Sequence, residues 1–214
     1  LAEFDLNRGQ LTSFQWQNQT LLAAPLKLNV FRAPTDNDGV KAWAVPEHRA
    51  LGRWLAWGLD HLEAKICAPV EIQQKREGAV EIRTQHQMLL HGPESIPEED
   101  RTISQTSVFR FETNGGLHLH VDFKVGKSLD DLPRLGLEWT LPAGFQHLEW
   151  FGRGPHETYA DRRAGAEIGH HSGTVAEQYH PYVVPQENGN KTDVRWISVR
   201  MPESTGLLIT SAKP

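Results

Sequence analysis

The chain has 214 residues, 38% of them hydrophobic and 23% charged, enough to bury a core as one large β domain or two small ones. A net charge of −5 without a basic stripe argues against nucleic acid as the main partner. No apolar run reaches the roughly 18 residues that span a bilayer, and no basic-then-apolar signal opens the chain.

In chain order, Phe4-Asp5-Leu6 reads as a strand, Asn7-Arg8-Gly9 as a turn, Leu11 to Trp16 as a strand, and Asn18 as a second turn before more strand. FRAPTDND, Phe31 to Asp38, follows: Pro34 restricts Ala33 to extended geometry, and Thr35-Asp36-Asn37-Asp38-Gly39 suits a turn with local side-chain hydrogen bonds. Arg32 is placed to fork onto Asp36 or Asp38. The one helix expected is EHRALGRWLAWGLDHL, Glu47 to Leu62, where Leu51, Trp54, Leu55, Leu59 and Leu62 form an apolar stripe weakened by Gly52 and Gly58. Cys67, the single cysteine, excludes an internal disulfide and reads as a buried small hydrophobe in AKICAPV.

Strands are expected at Ala64–Gln74 and Ala79–Met88, then a surface loop over His91 to Asp100. TSVFRFET and LHLHVDFKV, joined through Asn114-Gly115-Gly116, read as a hairpin. In the second arm Leu117, Leu119, Val121, Phe123 and Val125 share one face, and His118, His120, Asp122 and Lys124 the other. Three ligand-type side chains at spacing two could meet a metal, but the alternation already explains them as the wet face of a half-buried strand. Further strands are expected at Leu135–Leu141, His147–Phe151, Val194–Arg200 and Gly206–Thr210; His170-His171 reads as surface. Short strands with Gly/Pro turns and little helix point to a β-sandwich. Because the chain starts and stops against strand-like segments, it reads as an excised segment.

GRGPHE at Gly152 lacks the third glycine and the following helix of a dinucleotide loop, and no Gly-x-Ser-x-Gly elbow occurs. Asn18-Gln-Thr20 and Asn190-Lys-Thr192 read as chance sequons. What remains is three polar clusters: FRAPTDND; Trp150 to Arg163, with His156, Glu157, Tyr159, Asp161 and Arg162; and Tyr179 to Asn190, with Gln186, Glu187 and Asn188. A hexose offers hydroxyls to Asp, Asn, Glu and Arg and an apolar face to an aromatic ring, and this mix suits it. The same clusters equally suit polar networks that brace long loops.

In order, Arg32-Ala33-Pro34-Thr35-Asp36-Asn37-Asp38, Gly152-Arg153-Gly154-Pro155-His156-Glu157-Thr158-Tyr159-Ala160-Asp161-Arg162 and Pro181-Tyr182-Val183-Val184-Pro185-Gln186-Glu187-Asn188-Gly189 resemble the C-terminal, small-chain domain of glycoside hydrolase family 2 β-galactosidases. The resemblance runs from near Leu1 to beyond Arg195. It implies an all-β supersandwich of two large, mostly antiparallel sheets, galactose-mutarotase-like, with one short helix, forming a single domain over residues 1–214 that is truncated at its C-terminal end. It implies a parent enzyme that hydrolyses terminal β-D-galactosides such as lactose with retention, through carboxylates of a (β/α)₈ barrel outside this chain. By the same resemblance this chain holds no catalytic residue, metal or cofactor, the parent's Mg and Na ions lying in its other domains. Its partners would be the barrel and other domains, with the galactoside met indirectly, in a cytoplasmic homo-oligomer.

The substrate-binding or pocket-supporting residues implied are Arg32, Asp36, Asn37, Asp38, His156, Glu157, Tyr159, Asp161, Arg162, Glu187 and Asn188. The family's domain continues into a Gly-Gly-Asp-Asp-Ser-Trp-like loop that this sequence lacks. Two other readings use the same fold: a stand-alone aldose 1-epimerase with a histidine acid and a glutamate base (His156 with Glu157, or Glu187), and a carbohydrate-binding module.

Overall fold

The structure, a computed structural model, describes residues 1–41, 48–129, 131–202 and 206–211. The chain divides into two compact units, Leu1–Thr140 and Leu141–Pro214. Every strand pairing is antiparallel and α1 (Ala50–Ala56) is the one α-helix among the described residues, so the protein is all-β as its sequence pattern predicts.

In the first unit β1 (Ala2–Asp5), β2 (Gln10–Trp16) and β3 (Gln19–Thr20) form a small meander. β4 (Lys27–Asn29) pairs with β10 (Gly136–Glu138). The main sheet holds β5 (Lys65–Ile66), β6 (Glu71–Gln74), β7 (Val80–Leu89), β8 (Thr102–Phe111) and β9 (Leu117–Val125), with β5 and β6 sharing one edge of β7. The β8–β9 hairpin closes as the Asn-Gly-Gly signal predicts: Gly115 takes φ +89°, and the Gly116 N–H donates to Asn114 Oδ1 at 2.9 Å. Phe4 on β1 meets Phe109 on β8 edge to face, 5.2 Å between centroids, so two sheets pack through aromatic rings.

The core beneath gathers Val30, Trp54, Leu59, Met88, Leu90, Ile103 and Leu129. α1 contributes Trp54, 2% exposed, but Leu55 of the predicted stripe is 46% exposed. The helix is shorter than its apolar spacing predicts because Gly58 turns left-handed at φ +70°; Leu59–His61 then forms a 3₁₀ turn. Glu47, where the helix was expected to start, lies outside the described residues. The strand expected over Ala64–Gln74 is two strands interrupted around Pro69, which has no N–H to give the ladder. This interruption corrects the reading of Cys67. β5 ends at Ile66, the alternation turns Ile66 inward and the thiol outward, and Cys67 is exposed.

The second unit is one sheet in the order β12-β11-β13-β14, built from β11 (His147–Gly154), β12 (Glu167–Thr174), β13 (Trp196–Arg200) and β14 (Gly206–Thr210). β11 is central and buries Leu148, Trp150, Gly152 and Gly154 on one face. The glycines are forced: a Cβ on Gly152 would stand 2.9 Å from the Val194 backbone, and one on Gly154 would stand 2.7 Å from the His171 ring. β12 carries no hydrophobic alternation, so EIGHHSGT gives no strand signal. It forms because its backbone pairs with β11 residue by residue, from His147↔Thr174 to Gly154↔Glu167.

Candidate functional site

FRAPTDND closes as a braced turn in the first unit. Arg32 forks onto Asp38, Nη1 to Oδ2 at 2.6 Å and Nη2 to Oδ1 at 3.2 Å. Asp38 also accepts from the Thr35 N–H at 2.7 Å and the Thr35 hydroxyl at 2.8 Å, and its own N–H donates to Thr35 O, closing the four-residue turn. The Asp38 carbonyl accepts from Leu51 N–H, tying the turn to α1, and the Arg32 guanidinium lies 5.2 Å from the Trp54 ring centroid. Burial pushes the Asp38 carboxyl up, but the bonds from Arg32 and Thr35 together outweigh it and hold it below its ordinary value. The fork takes Asp38; Asp36 is exposed and pairs with Lys41 at 2.7 Å, and Asn37 is exposed.

The other two clusters meet in the second unit. Glu157 lies just past the end of β11, beyond the cis Gly154-Pro155 peptide. Its Oε1 accepts from Arg162 Nη2 at 2.8 Å and from the Tyr182 hydroxyl, and its Oε2 accepts from the Gly189 N–H at 2.8 Å. One carboxylate thus clasps three points of two loops. Burial raises its pKa, but the bonds from Tyr182, Gly189 and Arg162 carry it below the ordinary glutamate value.

Beside the clasp Thr158 is fully buried. Its N–H donates to Asn190 O at 2.8 Å, its carbonyl accepts from Asn190 Nδ2 at 2.7 Å, and its hydroxyl meets both the Thr192 hydroxyl (2.8 Å) and the Thr192 N–H (2.9 Å). The side-chain amide of the second sequon is therefore committed to the fold. Arg153 completes the brace, donating to Asp193 at 2.5 Å and to Ala166 O at 2.7 Å.

Tyr159 has its phenol pushed up to about 12 by burial and by the charges of Glu157 and Glu187. The Arg162 guanidinium sits 4.9 Å from the Tyr159 ring centroid. Asn188 holds its loop locally, accepting from His180 N–H and donating to Gln186 O. His156 and Asp161 are exposed. Next to the clasp opens a cavity of about 640 Å³, with Trp150, His156, Glu157, Arg162, Tyr182 and Lys191 among its walls.

Sequence reasoning did not single out Thr158, Thr192 or Lys191. Lys191 follows the third cluster by one residue, inside the Asn190-Lys-Thr192 triplet that reads as a chance sequon. His171, expected at the surface, is half-buried with its ring 5.2 Å from that of Trp150, while His170 faces solvent. His118, His120 and Asp122 line the exposed face of β9, with His120 on Asp122 at 3.1 Å. Among the described residues no group of three or more His, Cys, Asp or Glu side chains is gathered closely enough to hold a metal ion.

A model of the beta galactosidase small chain family matches residues 1–212. The chain belongs to this family. It is 32% identical to the beta-galactosidase of Priestia megaterium over 209 residues, covering 97% of this chain and 18% of that protein. It is 32% identical over 204 residues to the Vibrio cholerae beta-galactosidase, with 92% and 19% covered. Beta-galactosidase BgaC of Bifidobacterium adolescentis is 31% identical over 218 residues, with 100% and 19% covered. The small chain thus spans about a fifth of the length of the curated relatives it matches. The three ordered motifs occupy the Asp38 turn and the Glu157 clasp, and several of their residues, among them Arg32, Asp38, Glu157 and Thr158, are tied into loop-bracing networks.

Proposed function

We propose that this small chain is the non-catalytic part of a β-galactosidase that hydrolyses terminal β-D-galactosides such as lactose with retention, and that it helps shape the active-site mouth. The family match over residues 1–212 carries the reading. The chemistry of the two best-placed carboxylates supports it. A glycosidase acid must be protonated at working pH, which requires a raised pKa. Asp38 and Glu157 are both shifted down and both engaged by internal donors, which disfavours either as that acid. An aldose 1-epimerase that used Glu157 as its base would need that carboxylate free to take a proton, which the clasp disfavours.

In this reading residues 1–214 form one small-chain domain that needs no metal of its own. Its partners are the barrel and other domains of a cytoplasmic homo-oligomer, and Arg32, Asp36, Asn37, His156, Asp161, Glu187 and Asn188 support the pocket rather than perform chemistry. Hydrolysis of a chromogenic β-galactoside tests this. The protein encoded by the whole reading frame turns over, and the 214-residue chain alone does not. Turnover by the isolated chain that survives rigorous purification overturns the non-catalytic assignment, and an inactive whole protein overturns the galactosidase one.

A further inference from the structure

The cavity of the second unit contains an ammonium whose N–H donors the described residues leave unmatched. Lys191 Nζ stands 5.0 Å from the centroid of the Trp150 ring, and Trp150 is fixed: it is 1% exposed and its indole N–H donates to Arg153 O at 3.0 Å. The backbone around Lys191 is fixed as well, since Asn190 and Thr192 on either side are both bonded to Thr158. Among the described residues the Lys191 ammonium has no hydrogen-bond or ion-pair partner, although it is half-buried and carries three N–H donors.

The carboxylates that line the same cavity are already engaged. Glu157 is held by Arg162, Tyr182 and Gly189. Glu177 accepts from the Thr174 N–H at 2.6 Å and faces solvent, where water and salt screen its charge. Burial lowers the Lys191 pKa and the charge of Glu157 only partly opposes it, so the ammonium is left short of compensation.

We propose that this cavity is a binding site for a small hydroxylated anion, whose carboxylate or phosphate pairs with Lys191 as in a sugar acid or a sugar phosphate. An oxyanion supplies the acceptors the ammonium lacks, at a position that the Trp150 ring already defines. The remaining lining is of residue types that suit a polyhydroxylated body: Ser172, His156 and His180 border the cavity, as does Gln178, whose NH₂ donates to Thr174 O. Its volume, about 640 Å³, falls within the ~300–1,000 Å³ common for small-molecule sites. Because Lys191 covers the Trp150 face, a neutral sugar has no free stacking platform there, and charge rather than ring stacking sets the selectivity.

The galacto configuration of the probes rests on the galactosidase reading, but anion binding and hydrolysis are measured separately and either can fail alone. The experiment titrates the whole protein by calorimetry with galacturonate, galactose 6-phosphate, inorganic phosphate and galactose. Saturable binding is expected for both sugar anions, with galactose and inorganic phosphate at least ~10-fold weaker. The tighter of the two sugar anions identifies the source of the charge. Lys191→Met keeps the stem against Trp150 and is expected to weaken sugar-anion binding ~10-fold or more, while Lys191→Arg stays within about threefold. In parallel, lysine side-chain NMR of the unaltered protein is expected to show the Lys191 pKa rising as the site fills, a readout that needs no variant to fold. Equal affinity in Lys191→Met, inorganic phosphate binding as tightly as the sugar anions, or a Lys191 signal unmoved by saturating sugar anion overturns the proposal.

Discussion

Replacing Glu157 with Gln is the most direct test of the clasp that joins the two loops of the second unit. The substitution keeps shape and volume and removes only the charge and one acceptor. If the amide oxygen takes the Oε1 position it still serves Arg162 and Tyr182, but the NH₂ then faces the Gly189 N–H, donor against donor. If the amide is turned over, the NH₂ faces the Arg162 guanidinium, which cannot accept. The first orientation sets two donors face to face at a side chain only 12% exposed, and the second forfeits the bonds that Arg162 and Tyr182 donate, so either costs about 1–3 kcal/mol. The lost Arg162 charge pair adds little, because the arginine is 53% exposed and screened. A total near 2 kcal/mol shifts the melting temperature of a chain this size down by roughly 4–8 °C. Urea or thermal unfolding at pH 7, followed by tryptophan fluorescence, measures it. If Glu157→Gln proves as stable as the parent within about 0.5 kcal/mol, the carboxylate is not what ties these loops together.

Asp38→Asn in the first unit breaks the Arg32 fork, whose side chains are 16% and 12% exposed, and is expected to cost about 2–3 kcal/mol in the same assay; Arg32→Lys, which keeps the charge but loses the fork, is expected to cost less but still measurably. Thr158→Val replaces the fully buried hydroxyl with a methyl, strands the Thr192 N–H, and is expected to cost about 1–3 kcal/mol in urea unfolding. Acid should act through both carboxylates. Each has its folded pKa below the unfolded one, so its contribution is fully present above the unfolded value, near 4, and is lost as pH falls through the folded value. Stability measured from pH 7 downward is therefore expected to hold to about pH 5 and then decline, with a shallower decline in Glu157→Gln. An equal slope in the two proteins would contradict this.

The strands with strict alternation were legible without a structure. LHLHVDFKV forms β9 with the predicted faces, and Asn114-Gly115-Gly116 closes its hairpin, because one side chain every second residue is all that a half-buried strand requires. β12 was not legible, since its Gly169, His170, His171 and Gly173 owe their conformation to the neighbouring strand rather than to their own pattern. The site divides the same way. Clusters of charged residues announced that networks exist, and Arg32 with one of two aspartates was foreseeable from spacing. That Glu157 meets Gly189, or that Lys191 lies over Trp150, depends on contacts 32 and 41 residues apart, which no local pattern encodes.

The bonds around Thr158 and Glu157 also bear on chain continuity. Val183, at the tip of the third cluster, is 101% exposed, and the chain on both sides of it is anchored: Tyr182 to Glu157 before it, Gly189 to Glu157 and Asn190 to Thr158 after it. A single protease cut at that tip severs the covalent path without severing any of these ties. The two pieces are then held as one particle by these hydrogen bonds, the β11–β13 pairing and the packing of Val194 on Gly152, and the covalent link at this tip is dispensable once the unit has folded.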